Sequence, residues 1–439
     1  MFPLLTTGPK GQGMLAHPHV RRTITTPTRT ALAAALVLVV ILAQMAGPTP
    51  SAGAQSLMEG GQGSLMEDPQ PAPFYHADPA VLAGAELGDV INTRVVTMPA
   101  FVGYEVTEIA YRSTDTRDRP ILATATVVRP PHARPDGPVL SYQHYLNALG
   151  QSCAPTETLV NPTLETAQDN AMAFLRVRLD QGWTVIIPDH LGPKVAYPGG
   201  QLSARIVLDG MRAVRDDPRF DSRDSRFGAL GYSGGGIASA WVSLMHDDYA
   251  PDVNLVGVAQ GGIPTDMTTM ARMIGNWPHP AFGLAFAAAV GMAREYPEDI
   301  RLEEKLTPEG WALFDRMKGR CTASLLVFGA FRSVPMVLEG GDLMAEEGLM
   351  RAFGENSVRL SPDVPRVPVF MWHSRTDPLV PFWDAEETAK RYCREGTPLT
   401  WEPGVAPEHL IGAVEKLPTA MNWLQQRFDG VPAGRACYV

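Results

Sequence analysis

From about Val90 onward the chain alternates apolar blocks with polar turns. Residues 106–112 and 121–128 predict strands, the second reading Ile-Leu-Ala-Thr-Ala-Thr-Val-Val, and Val139–Gln143 predicts a short buried strand after Gly137-Pro138. A helix is expected over 167–182 and a strand over Thr184–Pro188. Leu202, Ile206, Gly210 and Ala213 share one helical face. Residues 227–230 predict a strand, Ile237, Trp241 and Leu244 recur at helical spacing, and 255–259 predict another strand. Such alternation marks a mostly parallel sheet covered on both faces.

The alternation fails between about Thr265 and Val364. There an apolar run, 281–293, is followed by the charged stretch 294–320 and the apolar stretch 323–331, a mostly helical pattern. It resumes with strands at 367–372 and 399–401 and a helix over 410–428. A helical block between two sheet strands predicts an inserted cap, or lid. The expected fold class is therefore α/β: a mostly parallel sheet with a helical cap domain. The expected organisation is a targeting segment over 1–54, an N-terminal arm over 55–89, sheet core over 90–264, cap over 265–364 and the rest of the core over 365–439. Gly, Pro, Gln and Met enrich 55–75, which predicts a flexible arm. A bulky change at a small cap position such as Ala287 is expected to penalise long substrates.

Composition narrows the picture. The 439 residues suffice for one large domain with an insertion, and 45% hydrophobic against 19% charged residues can build a packed core. The net charge of -10 excludes nucleic acid as the main partner but leaves room for transient contact with neutral lipid interfaces. No obligate protein partner is evident. Lys10, Arg21, Arg22 and Arg29 precede the apolar run 31–46, and Ala52-Gly53-Ala54 follows. The run is shorter than the roughly 20 residues a spanning helix needs, so it predicts a secretory signal peptide cleaved near Ala54, with Met1 or Met14 as the start. Cys153, Cys321, Cys393 and Cys437 then predict two disulfides in a secreted chain, and their spacing leaves all three pairings open.

Gly231-Tyr232-Ser233-Gly234-Gly235 is the only G-x-S-x-G match. A predicted strand before it and a helix after it supply the strand–turn–helix elbow that exposes a serine nucleophile. A serine hydroxyl needs a base to take its proton, and elbows of this kind order the chain Ser, acid, His. His409, before the closing helix, is the expected base; His373 is the rival. Asp377, just past the strand over 367–372, is the expected acid; it could also be a turn residue before Pro378. Asp189 is a rival acid but precedes Ser233. An oxyanion hole needs two donors. The N–H of Gly234 is one candidate. The other is Asn147, in the loop after Val139–Gln143, through its backbone or side chain, although a turn role for Asn147 fits equally well. No metal or cofactor is needed for the acyl transfer this set implies.

Ser141-Tyr142-Gln143, Cys153-Ala154-Pro155, Asp189-His190, the Gly231 to Gly235 motif, Tyr249-Ala250-Pro251, the segment from Trp372-His373 to Pro381, and Glu408-His409-Leu410 together resemble the secretory lipase family, which belongs to the α/β-hydrolases. The resemblance runs from about Phe74 to the C-terminus. It implies a secreted ester hydrolase of triacylglycerol lipase type, a cap that buries acyl chains, and the triad Ser233, Asp377, His409. It also implies the pairings Cys153–Cys321 and Cys393–Cys437. The family's oxyanion-hole aspartate aligns with Asn147, a departure that replaces a titrating group by a permanent donor. The triad alone does not name the leaving group, so an acyltransferase or a peptidase remains an alternative. A silent binding protein is a third, disfavoured by the complete triad.

Overall fold

The computed structural model describes residues 64–66, 72–163, 165–166 and 172–434. The targeting segment, its cleavage point at Ala54, and Cys437 lie outside the described residues. The described residues form one compact unit.

The described residues build a nine-stranded sheet in the order β1-β2-β3-β5-β4-β6-β7-β8-β9. The strands are β1 (Val90–Val95), β2 (Glu105–Thr114), β3 (Pro120–Arg129), β4 (Val139–Gln143), β5 (Thr184–Pro188), β6 (Phe227–Tyr232), β7 (Leu255–Gly261), β8 (Val369–Ser374) and β9 (Leu399–Gly404). β1 to β3 pair antiparallel, as does β3 with β5, and every pair from β5 across to β9 is parallel.

Side chains on successive strand residues point to opposite faces, and here both faces are apolar. Val139, Ile186, Val369 and Met371 pack into one buried cluster, with the helices Gly200–Asp216 and Gly234–Tyr249. Their neighbours Leu140, Val185, Ile187, Phe370 and Trp372 pack into a second, with Trp423, Leu424 and Phe428 of the closing helix His409–Phe428. The central strands are therefore buried on both sides, as a covered parallel sheet requires.

Between β7 and β8 the chain is helical, with Met267–Gly275, Phe282–Glu295, Pro308–Met317, Thr322–Gly329 and Glu347–Glu355 as its longer helices. The expected helix over 167–182 is shorter, Ala173–Leu179 among the described residues. The expected flexible arm is partly tied down: Leu65 and Phe74 are buried, and the Leu65 carbonyl accepts a 2.6 Å hydrogen bond from Arg294 Nε. Cys153 and Cys321 form a disulfide with Cα atoms 5.5 Å apart.

Candidate active site

β6 runs into the helix Gly234–Tyr249 through Ser233, whose φ of 54° and ψ of -119° lie outside the ordinary regions for a side-chain-bearing residue. The flanking glycines make this turn possible. A Cβ on Gly231 would lie 2.2 Å from the Gly235 carbonyl oxygen, and one on Gly235 would lie 2.0 Å from that of Gln143. Neither position tolerates a side chain without moving backbone. The elbow is also tied to the end of β4, where Ser239 donates to Gln143 Oε1 at 2.7 Å.

Ser233 Oγ lies 2.8 Å from His409 Nε2, and His409 Nδ1 lies 2.6 Å from Asp377 Oδ2. The expected loop position of His409 needs correction: it is the first residue of the closing helix, capped by Glu408, whose carboxylate accepts from Ile411 N. Asp377 sits in the turn between β8 and the helix Phe382–Arg394. Its Oδ1 accepts the N–H groups of Leu379 and Val380, at 2.9 and 3.0 Å. It is thus a turn-forming aspartate and a histidine partner at once, one oxygen for each. Burial alone would raise its pKa; the His409 hydrogen bond and those two N–H groups outweigh it and hold the carboxyl below its usual range.

The rivals fall elsewhere. His373 is fully buried at the end of β8, 3.5 Å from Asp377 Oδ2, and its Nε2 bonds the Val380 carbonyl at 3.1 Å. Burial lowers its pKa and keeps it neutral. Asp189 is bonded to Thr124 and Thr156, on the β3 side of the sheet. The other two histidines that follow Ser233 in the chain, His246 and His279, make other contacts, to Val253 and to Ala281.

Gly234 opens its helix, so its N–H is one of the donors that a helix leaves unpaired. Asn147 is buried beside it: a Cβ on Gly234 would lie 2.4 Å from Asn147 Oδ1, and that oxygen accepts no hydrogen bond among the described residues. Ser233, Gly234, Asn147 and His409 open into a cavity of about 230 Å³ whose apolar wall includes Met267, Met270, Leu284, Ala288, Leu326 and Phe353. Ala287 is not on this wall; it is fully buried.

The family model described as secretory lipase matches residues 158–436, well over half of the chain. The chain belongs to the secretory lipase family. A secreted triacylglycerol lipase of Malassezia globosa is 31% identical over 382 residues, covering 83% of this chain and 80% of that protein. Among solved structures, Candida antarctica lipase A in its closed state superposes with a TM-score of 0.79 at 26% identity, over 85% of this chain and 90% of that one. The rice cell wall degrading esterase of Xanthomonas oryzae, at 15% identity and a TM-score of 0.63, shares the fold. The fold is that of an α/β-hydrolase, as the resemblance implies, and its mostly parallel sheet is the one that the alternation of strands and helices predicts.

Tyr232, already part of the predicted elbow, and several residues that the sequence did not single out hold this set in place. Tyr232 donates its hydroxyl to the His409 carbonyl at 2.5 Å. Ser374 donates to the Ala406 carbonyl, also at 2.5 Å, and the Glu415 carboxylate accepts from Val405 N and Ala406 N, fixing the loop that leads to His409. Thr322 donates to the Asn147 carbonyl at 2.9 Å. Of these only Tyr232 carried a signal, its place inside the G-x-S-x-G motif.

Proposed function

We propose that this secretory lipase family member is an extracellular serine carboxylic ester hydrolase of triacylglycerol lipase type, acting through Ser233, His409 and Asp377. The observation that carries the reading is the unbroken relay from Ser233 Oγ through His409 to Asp377, with contacts of 2.8 and 2.6 Å. In it, Ser233 Oγ bonds to the ester carbonyl carbon as His409 Nε2 takes its proton. Asp377 holds the Nδ1–H tautomer and stabilises the imidazolium. The tetrahedral intermediate expels the alcohol, which leaves with the proton from Nε2. Water then attacks the acyl-enzyme by the same steps in reverse.

The negative oxygen that develops in both steps is placed at the Gly234 N–H, at the positive end of its helix, and at Asn147. A buried amide oxygen without a donor is costly; a half-turn of the Asn147 amide puts Nδ2 in that place, and an oxyanion would then be its acceptor. The acyl chain lies against the apolar cavity wall, so residues 265–364 act as the cap between the core segments 90–264 and 365–439. Secretion follows the N-terminal signal, with 1–54 removed and 55–89 left as the arm, and it agrees with the relatives named as secreted.

The test is turnover of p-nitrophenyl esters together with covalent labelling by a fluorophosphonate. Wild type should hydrolyse the ester and carry the label on Ser233. The folded Ser233→Ala protein should lose the label and nearly all turnover, a loss on the order of a million-fold. Full turnover in that variant would exclude Ser233 as the nucleophile.

A further inference from the structure

The loop that carries Asn147 is held from the cap as well as from the sheet. Leu149 N donates to the Arg320 carbonyl at 3.0 Å, and a Cβ on Gly150 would lie 2.4 Å from Gly319 Cα, so the two backbones are in close contact. The disulfide Cys153–Cys321 clamps the same two segments. Glu165 Oε1 accepts the N–H groups of Cys321 and Ser324, both at 3.2 Å, and so holds the start of the cap helix Thr322–Gly329. Arg294, from the cap helix Phe282–Glu295, reaches the Leu149 carbonyl at 3.2 Å. At the inner end of this seam Thr322 Oγ donates to the Asn147 carbonyl at 2.9 Å, and both residues face the cavity above Ser233.

We propose that Thr322 is a positioning residue for the oxyanion loop: its hydroxyl fixes the Asn147 carbonyl, and through it the Asn147 amide beside Gly234. The inference rests on the proposed role of Asn147 as an oxyanion donor. The carbonyl that Thr322 holds belongs to the residue whose side chain must aim at the reacting atom, so freeing it releases that residue's backbone torsion. It also strands a buried acceptor, which favours rearrangement of the loop. Oxyanion stabilisation depends on donors held in place before the charge appears, so the penalty falls on the chemical step. The cap would thereby do more than wall the cavity, since its seating on the loop sets the geometry of the hole.

The test uses Thr322→Val, which keeps the branched shape and removes the hydroxyl, and Thr322→Ser, which keeps the hydroxyl. p-Nitrophenyl butyrate and p-nitrophenyl laurate are the substrates. Thr322→Val should lower kcat about tenfold on both with KM unchanged, less than the hundred- to thousand-fold typical of losing a donor outright. Thr322→Ser should restore most of it, and in an Asn147→Ala background Thr322→Val should cost little more. Wild-type kcat in Thr322→Val, or an effect confined to KM or to the laurate, overturns the proposal and makes Thr322 part of the wall. If Asn147→Ala lowers kcat and Thr322→Val does not, only this inference falls. If Asn147→Ala leaves kcat unchanged, the donor role of that side chain falls and the inference with it.

Discussion

The hydroxyl of Tyr232 donates to the backbone carbonyl of His409 across 2.5 Å, and the two rings tilt together with centroids 5.2 Å apart. The residue before Ser233 thus grips the residue that would take its proton. The neighbours leave room for this and little else: a Cβ on Gly412 would lie 2.7 Å from the Tyr232 hydroxyl. Burial, together with the nearby Asp377 charge, drives the phenol far above its ordinary pKa, so it remains a donor at every working pH. Tyr232→Phe keeps the ring and removes the tie. A neutral hydrogen bond contributes about 1 kcal/mol, so kcat should fall roughly threefold to tenfold with KM unchanged, and by the same factor at every pH. A deficit that shrinks as pH rises would mean the hydroxyl titrates in the working range and is not a permanent donor.

The core of the fold was legible because its central strands, buried on both faces, are short apolar runs between turn residues and its helices repeat every three or four residues, and both signals reach the sequence directly. β1 was not, since Val-Ile-Asn-Thr-Arg-Val lies at the sheet edge with every residue half-buried or exposed, and an edge strand of that kind leaves no apolar period. Ser233, Asp377 and His409 were legible as candidates because each sits at a strand or helix end in a recognisable local setting. The contacts that hold them in place were hidden for the opposite reason. Tyr232 meets His409 across 177 residues, Thr322 meets Asn147 across 175, and Ser239 meets Gln143 across 96. No local pattern encodes such pairs; only the folded sheet and cap bring them together.

Two neighbouring alanines on the cap helix Phe282–Glu295 separate cavity from core. Ala288 faces the cavity, whereas Ala287 is fully buried away from it. Ala288→Phe should cut turnover of laurate esters far more than acetate or butyrate, because the added ring occupies acyl space. Ala287→Leu overpacks the core instead, at a cost of about 1–3 kcal/mol. It should lower the melting temperature and leave the chain-length profile alone. Equal losses on all esters for Ala288→Phe would remove the cavity from the acyl path.

Stability should carry a pH signature from Glu108. Its side chain is fully buried on β2, Arg94 donates to Oε2, and Oε1 has no hydrogen-bond partner among the described residues. Burial pushes the carboxyl up to about 7, and Arg94 only partly opposes this. Burial likewise takes Asp189 up to about 6. Between the ordinary Glu value of 4.5 and about 7, the folded protein then holds a proton that the unfolded chain has released. Stability from this group is therefore present below that window and is lost as pH rises through it. Other carboxyls, Asp377 among them, act in the opposite direction, so the informative quantity is a difference. Glu108→Gln should show a shallower decline of melting temperature than wild type from pH 4.5 to 7. Parallel curves for the two proteins would show that Glu108 is ionised on both sides of folding.

Asn147 offers the most discriminating test of the oxyanion hole, since the amide there can be replaced by an acid of nearly the same shape. Its side chain is buried beside Gly234 and faces the cavity with Ser233. An ionised aspartate in its place would set a negative charge where the oxyanion forms and oppose the reaction; a protonated one could donate as the amide does. Burial disfavours the charged carboxylate and extends the protonated range upward. Asn147→Asp should therefore retain most activity at low pH and lose it as pH rises through its carboxyl pKa. Asn147→Ala should be slower at every pH by about a hundred- to a thousand-fold, the typical loss for one oxyanion donor. Wild type must be followed over the same range, because the rest of the active site carries a pH dependence of its own. The ratio of Asn147→Asp to wild type cancels that common dependence and leaves a falling curve. If the ratio is flat and both variants match wild type in kcat, Asn147 is a turn residue, and the second donor is another group of the loop.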